Sequence, residues 1–184
     1  MTRNRERRRV WLAAGVAAAA ASAGVASQLW KKQAPIAGED VPSQGRASGI
    51  WQLRFPQPGG AELAMSSVRG SPLVLNFWAS WCAPCVKEMP ELDRFHRNFA
   101  SHGWQVVGLA IDNEAAVVQF LDRVRVGFPV ALAGVAGIDL MKSLGNDKGV
   151  LPFTIVFDRQ GSPVRRHVGE TNYQQLEAWA RSGS

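Results

Sequence analysis

Trp81-Cys82-Ala83-Pro84-Cys85 holds both cysteines of the 184-residue chain and directly follows the apolar run Leu73-Val74-Leu75-Asn76-Phe77-Trp78. A run so poor in polar side chains reads as a central strand covered on both faces. Residues 82–101 then place Cys85, Met89, Leu92, Phe95 and Phe99 at spacings of three and four, the apolar stripe of a helix. The cysteines therefore sit where a buried strand gives way to a helix. Unpaired N–H groups and the positive end of the macrodipole stabilise a thiolate there. Two sulfurs at i and i+3 also lie within reach of one another, so the pair can close into a disulfide and reopen. Pro84 suits the first helical turn and stiffens the loop between the sulfurs. Cys82 is expected to be the exposed nucleophile, Cys85 the buried resolving thiol, and Trp81 part of an apolar rim beside them.

Other chemistries compete with this redox reading. Structural zinc needs four ligands, and only His96, His102 and His167 could join the cysteines. Covalent haem needs a histidine directly after the second cysteine, where Val86 stands. A copper(I) site on the two thiolates suits a soft metal, although no methionine cluster accompanies it. A purely structural disulfide gains little from so short a loop. No bound cofactor and no resident metal are expected.

The net charge of +6 would suit a nucleic-acid partner, but the charge is localised. Residues 1–32 carry Arg3, Arg5, Arg7, Arg8, Arg9, Lys31 and Lys32 against Glu6 alone, and the remaining 14 basic and 14 acidic side chains cancel. No nucleic-acid partner is expected. Residues 10–30 contain no charge and are long enough to span a bilayer, with five arginines before them and two lysines after. The larger basic cluster should stay in the cytosol, which sends the rest of the chain across the membrane. A cleaved signal peptide is the alternative, because small-residue sites occur at Ala21-Ser22-Ala23 and Gly24-Val25-Ala26. The chain thus divides into a basic cytosolic terminus (1–9), a membrane anchor or signal peptide (10–30), a Pro-, Gly- and Ser-containing linker (31–48) and one α/β domain (49–184).

Within that domain, residues 50–55 and 62–65 around Pro58-Gly59-Gly60 read as an edge hairpin. Residues 104–111 form the next strand, and Asp112 is placed to cap a helix over 113–125. A short strand at 128–132 and a short helix at 138–144 follow. Residues 154–158 and 164–168 flank the turn Arg159-Gln160-Gly161-Ser162, and a last helix covers 172–181, with Leu176 and Trp179 facing inward. Strands alternating with helices, then a hairpin and a final helix, argue for a sheet with helices on both faces.

Asn76-Phe77-Trp78-Ala79-Ser80-Trp81-Cys82-Ala83-Pro84-Cys85, followed by Val86-Lys87-Glu88-Met89-Pro90, resembles the active-site segment of the thioredoxin superfamily. It is specifically similar to the TlpA/ResA-like membrane-anchored thiol-disulfide oxidoreductases of bacteria. Val150-Leu151-Pro152-Phe153-Thr154 matches the loop that carries a cis-proline in that family, and residues 113–132 resemble the helix-strand insertion of the group. The resemblance implies a thioredoxin-like fold with a central mixed sheet, an N-terminal β-hairpin and that insertion, preceded by one membrane helix. It implies Cys82 and Cys85 as a redox-active disulfide, and Trp81, Pro84, Leu151 and Pro152 at the substrate surface. Thioredoxin carries an acid where this chain has Asn76; the resemblance assigns the missing proton acceptor to Glu88, whose plainer reading is a first-turn acid favouring the helix dipole.

The implied function is a protein disulfide reductase of the cell envelope, anchored in the inner membrane with its domain in the periplasm and acting as a monomer. Its partners would be protein thiols and disulfides, with apocytochrome c or a copper-site protein as substrate and a membrane dithiol protein as electron donor. A copper(I) carrier using the same two cysteines is the alternative. A peroxiredoxin-like peroxidase is weaker, because Ala79-Ser80-Trp81 lacks the threonine and proline arrangement that chemistry uses.

Overall fold

A computed structural model describes residues 47–182. The expected membrane segment at 10–30, the basic terminus and nearly all of the linker lie outside the described residues. Among those described, no helix is long and apolar enough to cross a membrane.

Five strands form the main sheet in the order β5-β4-β3-β6-β7: β3 (Leu73–Trp78), β4 (Gln105–Ala110), β5 (Val130–Leu132), β6 (Phe153–Phe157) and β7 (Pro163–Val168). The pairs β3/β4 and β4/β5 are parallel, whereas β6 runs antiparallel to both β3 and β7. All six residues of β3 are buried, as its uninterrupted apolar sequence requires of a central strand. Alternation sorts them into two cores. Leu73, Leu75 and Phe77 meet Met141 of α3 (Gly137–Ser143) and its C-cap Leu144 on one face. Val74 and Trp78 meet α1 (Ala83–Phe99), α2 (Glu114–Arg123) and α4 (Tyr173–Arg181) on the other. The sheet is therefore mixed and carries helices on both faces, a thioredoxin-like arrangement.

Strand alternation fixes where polar residues can lie. Asn76 shares the α1 face with Val74 and Trp78, and its register partners are Gly108 on β4 and Thr154 on β6. A side chain at 108 would crowd its neighbours: a Cβ there would approach Trp78 Nε1 to 3.1 Å and the Phe128 ring to 3.2 Å.

The front of the domain departs from expectation. The hairpin exists, but only as β1 (Arg54–Pro56) and β2 (Glu62–Ala64), whereas Ile50 and Trp51 belong to a 3-10 helix over Ala47–Gln52. Both side chains are buried, which two successive residues of a one-faced strand cannot achieve. Trp51 packs edge-on to Phe157 at 5.1 Å and donates its indole N–H to the carbonyl of Gly161 at 3.1 Å. Gly161 has φ +83° and lies so close to that indole that a Cβ would come within 2.8 Å of it. The β6–β7 turn and the start of the domain thus lock together.

The second difference is a cap. Asn113, not Asp112, caps α2, its Oδ1 accepting from Ala116 N at 2.9 Å. Asp112 is engaged elsewhere, as described below. The remaining boundaries lie within about two residues of expectation, the usual uncertainty of helix and strand ends. Pro90 stands inside α1 and the helix continues through it.

Trp51→Ala removes a buried indole and its hydrogen bond, and should lower unfolding stability by about 3–5 kcal/mol, the usual range for a large aromatic. Urea denaturation of the full-length protein measures this; a loss below about 1 kcal/mol would show that the 3-10 segment is not integral to the core.

Candidate active site

Cys82 and Cys85 are joined in a disulfide at the entrance of α1. Cys82 is the N-cap residue in extended conformation, and its sulfur accepts the Cys85 N–H at 3.4 Å. Ala83 and Pro84 fill the first two helical positions, where a missing N–H leaves no helical bond unmade. The Cys82 sulfur therefore faces the positive end of the helix, which favours its thiolate once the disulfide opens. Cys82 keeps 7% of its surface exposed and Cys85 none, so the expected order of exposure holds by a narrow margin. Trp81 supplies the accessible apolar surface, at 69% exposure, and Pro84 is exposed beside it.

The segment before the disulfide is braced from the neighbouring strand. Asp112, just past the end of β4, accepts both the Ser80 N–H (3.0 Å) and the Ser80 hydroxyl (2.6 Å) on Oδ2. Ile111 N donates to the Trp78 carbonyl at 2.8 Å, extending the strand pairing to the point where the chain turns into the motif. Such charge-assisted bonds fix the loop without burying an unpaired acid.

Pro152 lies at the same end of the sheet. Phe153 pairs with Phe77, so the loop ahead of β6 emerges next to the end of β3. The Leu151–Pro152 bond is cis. Gly169 N donates to the Pro152 carbonyl at 2.9 Å, and the buried Asn146 side chain grips Val150 on both sides, donating to its carbonyl at 2.7 Å and accepting from its N–H at 3.3 Å. The N–H and C=O of Leu151 have no partner among the described residues, leaving one free peptide edge in an otherwise fixed loop.

Glu88 is fully buried, one helical turn beyond Cys85 on α1. Asn76 donates from Nδ2 to Glu88 Oε1 at 2.7 Å and to Thr154 Oγ1 at 3.0 Å. Thr171, in the β7–α4 connection, donates its backbone N–H (2.8 Å) and its hydroxyl (2.9 Å) to Glu88 Oε2. Burial pushes the Glu88 carboxyl up to about 7; the bonds from Thr171 and Asn76 oppose that rise, and the nearby Glu170 charge adds to it. This is no solvated first-turn acid. It is a carboxyl that changes charge near neutrality, one turn from the inner sulfur.

The structure thus gathers Trp81, Cys82, Pro84, Cys85, Glu88, Leu151 and Pro152 at one end of the sheet. Asp112, Asn146, Thr154 and Thr171 also belong to this end and were missed as site residues. Asp112 was read as a cap because an acid before a helix normally is one, and Thr171 gives no local signal because its partner is 83 residues away. The histidines are dispersed: His96 lies edge-on to Phe128, His102 beside Phe99 and His167 beside Trp179. Among the described residues no group of three or more His, Cys, Asp or Glu side chains is placed to hold a metal ion.

Comparison with known proteins agrees with this geometry. Residues 37–178 match the Redoxin family. A thiol-disulfide oxidoreductase ResA of Bacillus thuringiensis is 30% identical over 123 residues, which cover 66% of this chain and 69% of the relative. ResA of Bacillus subtilis is 29% identical over 133 residues, 72% of this chain and 71% of its own length. Among solved structures, a putative thiol:disulfide interchange protein DsbE from Chlorobium tepidum superposes with a TM-score of 0.61 at 27% identity, covering 70% of this chain and 88% of that one.

The buried acid has a thermodynamic signature. Its value of about 7 in the fold lies above the ordinary 4.5, so between these values the folded state holds a proton that the unfolded chain has released. Stability from this group is complete below about pH 4.5 and is lost as pH rises through about 7, a fall on the order of 3 kcal/mol. Urea unfolding of the oxidised full-length protein from pH 5 to 8 should show this decline, and Glu88→Gln should flatten it. Equal slopes in the two proteins would place the Glu88 carboxyl back in the ordinary acid range.

Proposed function

The chain belongs to the redoxin family, among the ResA-like thiol-disulfide oxidoreductases of the thioredoxin superfamily, and from that premise we propose that it reduces disulfides of partner proteins outside the cytosol through Cys82, Cys85 and Glu88. The observation that carries the mechanism is the buried Glu88 carboxyl one turn below the dithiol, poised to change charge near neutral pH.

In the reduced enzyme the Cys82 thiolate, favoured by the helix N-terminus, attacks one sulfur of the partner disulfide. A Cys82–partner S–S bond forms and the other partner sulfur leaves as a thiolate. Cys85 then gives its proton to Glu88, and its thiolate attacks the Cys82 sulfur. The second partner sulfur departs, the Cys82–Cys85 disulfide closes, and the partner has gained two electrons. Glu88 matters in the second half, because an apolar site disfavours a thiolate unless a base stands beside it. Trp81, Pro84, Leu151 and Pro152 form the surface that meets the partner. The unpaired Leu151 peptide suits an extended substrate segment, which can bond to it as an added strand would.

The finer role is reduction of cysteines in apocytochrome c or in a copper-site protein, with a membrane dithiol protein returning electrons to Cys82–Cys85. Support comes from the family and from the arrangement of sequence before the domain. A basic stretch at 1–9, an uncharged stretch at 10–30 and a linker at 31–48 fit a domain tethered to the inner membrane and facing the periplasm.

Cys85→Ser in the full-length protein should accumulate a mixed disulfide between Cys82 and its partner in cells, visible as a reductant-sensitive adduct that Cys82→Ser abolishes. No adduct under oxidising growth would overturn the exchange mechanism. Glu88→Gln, with both thiols present, should slow resolution about 10–100-fold near pH 7 and leave the first attack nearly unchanged, as stopped-flow mixing with a model disulfide would read.

A further inference from the structure

The two oxygens of Glu88 are not equivalent. Oε2 accepts two hydrogen bonds, from the N–H and the hydroxyl of Thr171, which occupy both of its lone pairs. Oε1 accepts one, from Asn76 Nδ2, and retains a free lone pair. Asn76 uses both Nδ2 hydrogens, on Glu88 and Thr154, while its own buried Oδ1 has no partner among the described residues. We propose that Thr171 is a positioning residue for the exchange reaction: by occupying Oε2 it confines the proton that Glu88 takes from Cys85 to Oε1, the oxygen facing Asn76. The proposal rests on the reading of Glu88 as proton acceptor and adds which oxygen works and what makes it so.

The surroundings agree with this division. When the S–H bond of Cys85 breaks and an O–H bond forms on Oε1, the new hydroxyl needs an acceptor. A half-turn of the Asn76 amide presents Oδ1 to it, and the Thr154 hydroxyl, until then an acceptor, can donate to the same oxygen. The orphaned Oδ1 thereby finds partners in the protonated state, so the Asn76 amide serves both charge states of Glu88. No electrons move in this step. The proton returns to the departing partner thiolate once Cys85 has attacked.

Thr171 is itself held in place. Lys87 pairs with Glu170 at 2.6 Å, and Glu91 accepts the Tyr173 N–H at 3.0 Å. Arg94 stacks over the Tyr173 ring at 4.2 Å, and Asn98 donates to the Tyr173 hydroxyl at 3.1 Å. Thr171 therefore sits in a segment pinned to α1 along its length. The charge that acts on Glu88 is that of Glu170, in the same connection as Thr171. Lys87 and Glu91 lie on the same helix and face that connection through Glu170 and Tyr173, and His167 Nε2 of β7 lies 3.3 Å from the Glu170 carbonyl. In the oxidised protein the cysteines do not titrate.

The test is 13C NMR of the Glu88 side-chain carboxyl in the oxidised full-length protein. Thr171→Val keeps the shape and the backbone N–H but removes the hydroxyl, so the ionised form loses a donor. The titration midpoint should rise by about one pH unit, a tenfold change in proton affinity. Thr171→Ser should restore it. In the wild type, the Thr171 amide 1H shift should titrate with the same midpoint as Glu88, a readout that needs no variant and survives if Thr171→Val fails to fold. A midpoint unchanged in folded Thr171→Val, or a Thr171 amide shift constant from pH 5 to 9, would overturn the proposal. Resolution kinetics with the same pH profile in wild type and Glu88→Gln would instead remove the acceptor reading, and with it the positioning role, even while the Thr171 amide still followed Glu88.

Discussion

A carboxyl group with no solvent-accessible surface is the constraint around which the redox end of this domain is organised. Withdrawing a carboxylate from water without compensation costs several kcal/mol. Three donors meet that cost in part: Asn76 from the central strand, and the N–H and hydroxyl of Thr171 from the β7–α4 connection. Desolvation still outweighs them, which leaves Glu88 near neutrality rather than at an ordinary acid value. Removing donors moves the group further toward the neutral acid and adding them moves it toward the carboxylate, so its position near neutrality reflects a balance between burial and hydrogen bonding.

The same end of the sheet solves a second problem, holding a reactive disulfide on a loop that does not wander. Strand β3 delivers the motif, Asp112 fastens Ser80 from β4, and Asn146 fastens the residues before the cis bond. Asp112 reaches from the end of β4 to the loop before the motif, whereas Asn146 binds the backbone of Val150 within its own connection. The backbone leading into Cys82 is therefore fixed from the neighbouring strand, and the residues before Leu151 are fixed from within their own connection. Trp81 and Pro84 remain outside this network and exposed, so surface chemistry can vary there without disturbing the reacting groups.

How far the sequence disclosed this arrangement depended on the range of each interaction. The apolar run of β3 and the spacing from Cys85 to Phe99 are local patterns, and both emerged as read. The α/β class followed from their alternation with later segments, and Leu176 emerged buried in the final helix. At Ile50 and Trp51 partial alternation imitates a strand, whereas the indole of Trp51 is held by Gly161 and Phe157, more than 100 residues away in the chain. Asp112 looked like a cap because it precedes a helix; that Ser80 claims it is a fact of strand adjacency. Glu88 could be suspected from its place one turn after Cys85. Its partners could not be, since Thr154 and Thr171 reach it only once the sheet is assembled and nothing local distinguishes them from other threonines.

The separation between Glu88 and Thr171 has a consequence for the order in which the protein matures. The cysteines, the central strand and the active-site helix are all complete before residue 100, yet the acid below them is enclosed by a segment 83 residues further on. Until that segment docks, a growing chain carries its two cysteines beside a hydrated glutamate. Contacts of such long range form late, after the intervening chain has closed its loop. The carboxyl reaches its buried, hydrogen-bonded state only when the segment carrying Thr171 docks onto α1, so the setting of Glu88 is completed by a long-range contact rather than by the neighbourhood of the motif.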